Sequence, residues 1–155
     1  MKMDNRNQNR GSNYQPKQID EQTLQDALNV VKNLNSSNVE NFVKTAEKLA
    51  KENFQFIAKS KLRDFYDYVK GKELDFNNKK DWDSCKKELY LLIPKLAYQI
   101  GRAKEQGKKG GNEAIALENF EHLYSKLLEI LDENNFQNFI KFFEAIVAYH
   151  KQYAG

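Results

Sequence analysis

The sequence predicts an all-α protein: a bundle of five or six amphipathic helices behind a disordered basic N-terminal arm. Three observations carry that reading. Glycine and proline are scarce, at 7 and 2 of 155 residues, so little interrupts a helix. Apolar residues recur along most of the chain at the i, i+3, i+4, i+7 spacing of one helical face. No stretch alternates cleanly enough to be a strand. The length fits one domain, so the expected division is an arm over 1–18 and a single helical domain over 19–155.

Each element has its own signal. Residues 1–18 (MKMDNRNQNRGSNYQPKQ) have almost nothing apolar to bury and read as disordered. Asp20 is placed to cap a first helix whose inner face is Leu24, Ala27, Leu28, Val31 and Leu34. Ser37 and Glu40 have the S-x-x-E spacing of a capping box, opening a second helix whose inner face is Val39, Phe42, Val43, Ala46, Leu49 and Ala50. Residues 52–58 form a short apolar connection or helix end. Ser60 is expected to cap a third helix, Lys61 to about Lys70, which Gly71 stops; 71–81 then reads as a loop. A fourth and longest helix covers about 82–106, with a kink near Ile93 because Pro94 lacks a backbone donor. Gly107–Gly111 reads as a flexible basic loop. Helices over about 113–132 and 136–152 complete the bundle, the last burying Phe136, Phe139, Ile140 and Phe143.

The residue inventory argues against several functions. The single cysteine, Cys85, cannot form an intrachain disulfide or a cysteine zinc site, and it falls on a predicted core face. No apolar run approaches the ~18 residues of a membrane span, and the N-terminus has no signal-peptide core, so a cytoplasmic protein is expected. There is no P-loop, Rossmann glycine pattern or nucleophile elbow. Glu118 and His122, one helical turn apart, give a metal only two ligands. His150 reads as a partly buried structural histidine. No enzyme and no cofactor are expected.

Charge is more informative. The formal net charge is +3, and the arm alone carries that much, so the rest of the chain sums to zero. Residues 79–110 hold nine cations against four carboxylates; residues 111–135 hold six carboxylates against Lys126. One reading is a solvated surface with internal ion pairs. The other is a polyanion-binding face backed by an acidic one. Lys59, Lys61 and Arg63 gather where the third helix exposes free backbone N–H groups, a setting for phosphate. Lys95, Tyr98 and Arg102 lie on one helical face, two cations around an aromatic ring, which can follow a nucleic-acid backbone. Lys104, Lys108 and Lys109 add charge from the following loop.

Three stretches taken together point to a family. LRDFYDYV (62–69), LLIPKLAYQIGR (91–102) and FIKFFEAIVAYHK (139–151) resemble, in order, the signature segments of the small helical subunit of the type III-A CRISPR effector, the Csm complex. The resemblance implies a helical bundle without a catalytic centre, stacked in several copies along a ribonucleoprotein filament. It implies contact with the backbones of guide RNA and target RNA, and with the other subunits of the complex. Carried onto this chain, it marks Lys59, Lys61 and Arg63 in the first segment, and Lys95, Tyr98 and Arg102 in the second. In the third it marks His150 and Lys151. A helical adaptor binding proteins alone is the competing expectation.

Overall fold

The computed structural model describes residues 15–154, and among these it contains helices and turns but no strand. The helices are α1 (Glu21–Lys32), α2 (Val39–Lys48), α3 (Lys59–Lys79), α4 (Trp82–Tyr90), α5 (Leu92–Glu105), α6 (Gly111–Ile130) and α7 (Phe136–Tyr153). A π-helical turn, Leu49–Asn53, extends α2, and a 3-10 turn, Gly107–Lys109, follows α5. Because α4 and α5 are one rod broken at a single residue, the fold is the expected all-α bundle. Residues 1–14, which hold most of the expected arm, lie outside the described residues.

The packed body starts earlier than residue 19. Pro16 is buried, and the Lys17 carbonyl accepts hydrogen bonds from the side-chain amides of Asn53 (2.7 Å) and Asn119 (2.8 Å). Those two amides are themselves almost fully buried, so the one carbonyl supplies a close acceptor to both, beside the longer bond of Asn119 to the Asn53 carbonyl at 3.4 Å.

Asp20 caps α1 as its position predicts, accepting from the Thr23 N–H at 2.7 Å. That backbone bond, with the nearby Lys48, holds the Asp20 carboxyl down at about 2. The capping box at α2 does not form. Asn38 stands at the N-cap, the Ser37 hydroxyl donates to Asn35 Oδ1, and Glu40 pairs with Lys44 one turn on. The side-chain amides of Asn35 and Asn38 tie the turn together instead: both donate to the Asn33 carbonyl, and Asn38 Oδ1 accepts the Asn35 N–H, more bonds to the local backbone than one hydroxyl can make.

The third helix corrects the sequence reading most. Ala58, not Ser60, is its N-cap, and it runs through Gly71 to Lys79. A mid-helix glycine costs about 1 kcal/mol relative to alanine. What offsets it lies downstream: the Phe76 ring meets Trp82 at 5.4 Å and Phe136 at 6.2 Å, so the extra two turns pack a half-buried aromatic against α4 and α7. Lys80, in the left-handed region at φ 59°, ends the helix, its N–H bonding the Phe76 carbonyl. Proline acts at a different place too. The rod breaks at Leu91, not Ile93, because the Pro94 ring crowds the carbonyl four residues back, that of Tyr90.

The core is aromatic. Phe65 of α3 meets Phe120 (4.6 Å), Tyr124 (4.9 Å) and Phe143 (5.5 Å) edge to face, joining α3, α6 and α7 around one ring. Tyr124 is buried, and its hydroxyl donates to the Leu89 carbonyl, which fixes α4 against α6. Cys85 is buried as expected, its thiol pushed up to about 11 by burial.

The basic loop is tighter than its composition predicts. Gly107 takes a positive φ of 64°. Gly110 lies against Ala103, and a Cβ there would collide with the Ala103 carbonyl. That close approach lets α5 and α6 pack along their length.

Candidate nucleic-acid interface

The candidate cations divide according to what surrounds them. Two recesses flank the first two turns of α3. One, of about 500 Å³, lies toward α7 and is lined by Lys59, Ser60, Arg63, Asp64, Val147, Ala148, His150 and Lys151. The other, of about 190 Å³, lies toward α5 and is lined by Lys61, Asp64, Phe65, Tyr68, Leu92, Lys95, Leu96 and Gln99. Asp64 belongs to both, so a single carboxylate sits on the ridge between two basic hollows.

In the α7-side recess, Lys59 and Arg63 project from the opening of α3 and Lys151 from the end of α7. All three are exposed, and among the described residues none lies within 4.0 Å of a carboxylate oxygen. His150 belongs to the same recess but is 1% exposed. Burial pushes its imidazole below the ordinary value of 6.5. The carbonyls of Ile57 and Phe54 work against that shift, and the charge of Lys59 adds to it. Its Nε2 has no hydrogen-bond partner.

Lys61 does not join this group. Its ammonium pairs with Glu113 at 2.7 Å, and the other oxygen of that carboxylate accepts the Ala58 N–H at 2.8 Å. The positive end of α3 therefore already has its anion, supplied by α6. Sequence could not show this, because the partner lies 52 positions away.

Lys95 behaves differently from the expected stripe. Its ammonium stands 4.7 Å over the ring of Tyr68, and Lys72 stands 4.9 Å from the same ring. Tyr68 rather than Tyr98 is the aromatic that holds Lys95, and sequence reasoning missed it. The signal was present: Tyr68 is an aromatic lying off the buried stripe of Leu62, Phe65 and Val69. Tyr98 is 63% exposed and Arg102 is exposed and unpaired among the described residues. Tyr90 and Leu91, also exposed, lie on the preceding turns of the same rod. Lys104 is drawn toward Glu118 at 3.9 Å, while Lys108 and Lys109 stand exposed on the 3-10 turn.

Among the described residues no group of three or more His, Cys, Asp or Glu side chains could hold a metal ion. No described helix is long and apolar enough to cross a membrane.

Comparison with known proteins yields one match. A family model, Csm2 Type III-A, matches residues 36–155, a span that contains all three resembling stretches. No curated protein and no solved structure matches the chain. A match over that much of the bundle, on a helical fold with the three segments on α3, α5 and α7, settles the family: the chain belongs to the Csm2 family of the type III-A CRISPR effector complex.

Proposed function

We propose that this subunit is a non-catalytic support for RNA, holding the backbones of guide RNA and target RNA across the opening turns of α3 without reading their sequence. The observation that carries the reading is the set of unpaired cations Lys59, Arg63 and Lys151 around one recess, with Lys95 across the α3 ridge. In an RNA-guided complex base pairing supplies sequence specificity, so a protein need only meet backbone and shape. Scattered cations without a base-reading motif suit that task. Such contacts act largely by releasing counterions, so binding weakens steeply with salt.

The test is an Arg63→Glu, Lys95→Glu double variant in the assembled complex. Target-RNA affinity should fall and its salt dependence flatten, while thermal unfolding of the isolated subunit stays unchanged. Unaltered affinity with unaltered salt dependence sinks this site assignment.

The exposed apolar residues Tyr90, Leu91 and Tyr98 favour a second reading for the outer face of the α4–α5 rod: contact with a neighbouring protein, another subunit or another copy of this chain. Tyr98→Ala then lowers subunit occupancy in the purified complex, and leaves RNA affinity per assembled complex as it was.

A further inference from the structure

The recess between α3 and α7 has more in it than phosphate contacts require. Lysines and arginines on a flat or convex surface are enough to hold a backbone. Here the cations surround a hollow of about 500 Å³, within the range of about 300–1,000 Å³ typical of small-ligand pockets. Val147 and Ala148 give it apolar lining, while Lys59, Arg63 and Lys151 bring positive charge. His150 also borders the hollow, nearly fully buried and with its Nε2 closed off from solvent.

A ligand complementary to this set is anionic at one end and flat and partly apolar at the other. We infer that the recess is a subsite for a single nucleotide unit of a bound RNA strand. Its phosphate meets Arg63 and Lys59, and its base lies against Val147 and Ala148. Two aliphatic side chains cannot tell four bases apart, so the subsite accepts any of them. Asp64 at the edge repels a second phosphate on the α3 ridge, which keeps the occupant to one unit. This inference rests on the RNA-supporting reading and names what that surface takes in.

The experiment titrates the full chain, isotope-labelled for NMR, with UMP, AMP, ribose 5-phosphate and inorganic phosphate, following His150 and the Val147 methyls. Both nucleotides should give saturable shifts at these two residues, with inorganic phosphate weaker by about tenfold or more. Ala148→Trp fills the hollow without touching a charge, and Arg63→Gln removes one cation from an exposed position; both should abolish the nucleotide shifts. A short single-stranded RNA is the control. If the strand binds but neither nucleotide saturates by about 10 mM, the subsite is overturned and the RNA-supporting reading stands. If phosphate binds as well as UMP, or Ala148→Trp changes nothing, the subsite is likewise overturned. If neither strand nor nucleotide binds, both readings fall.

Discussion

Single residues decide more of this fold than their chemistry announces. Gly110 has an ordinary φ of −96°, so its requirement is for space and not for backbone freedom. Gly110→Ala forces a methyl group into the Ala103 carbonyl, and separating α5 from α6 to relieve it should cost about 2–4 kcal/mol. A drop in urea midpoint against Gly111→Ala, whose Cβ would meet nothing within 4 Å, checks this. His150 makes a different prediction. Its folded-state pKa lies below its ordinary value of 6.5, so the unfolded chain takes up the proton more readily. The stability held by neutral His150 is complete above about pH 6.5 and drains away as pH falls toward the depressed value. Urea unfolding at pH 7.5 and pH 5 should show that loss in the native chain and not in His150→Gln. Asp20 contributes nothing there, because its window lies between 3.8 and about 2.

At the level of the element, legibility followed the range of the forces involved. Most helix positions and inner faces were readable because amphipathic spacing is local, but Val39 and Val43, read onto the inner face of α2, stand exposed because nothing packs over that edge of the helix. The end of α3 was not. Gly71 is a real local stop signal, overridden by Phe76 packing on Trp82 of α4 and Phe136 of α7, and no window around residue 71 contains both partners. Phe76→Ala should therefore release the last two turns: amide exchange in 72–79 should accelerate while that in 62–69 keeps its protection. Uniform acceleration along all of α3 would mean that the helix stands or falls as one unit. Pro94 was legible as an interruption, but its position was not, because the clash acts on a carbonyl four residues earlier.

For the molecule as a whole, the charge tally pointed at the right class of surface and at some of the wrong residues. Lys61 and Lys104 look like free cations in a string of letters, yet carboxylates of α6 engage both. Lys151 gains a place beside Arg63 only because α7 ends where α3 begins. The candidate surface was thus half readable: residue types and helical faces were, and the pairing across helices was not. Asp64 supplies the molecule-scale prediction. Standing on the ridge between two basic recesses, its carboxylate opposes any polyanion crossing α3. Asp64→Asn should raise RNA affinity several-fold at low salt, with the gain shrinking as salt rises. A fall in affinity would mean that Asp64 orients a cation instead.

The contact between Gly110 and Ala103 reaches as far as the genetic code. Every amino acid one nucleotide away from a glycine codon carries a Cβ. No missense change at codon 110 can therefore be silent in the packing of α5 on α6, while the adjacent glycine codon has room for at least the smallest side chain. In a population of drifting sequences, two neighbouring and chemically identical residues should consequently show opposite mutational histories.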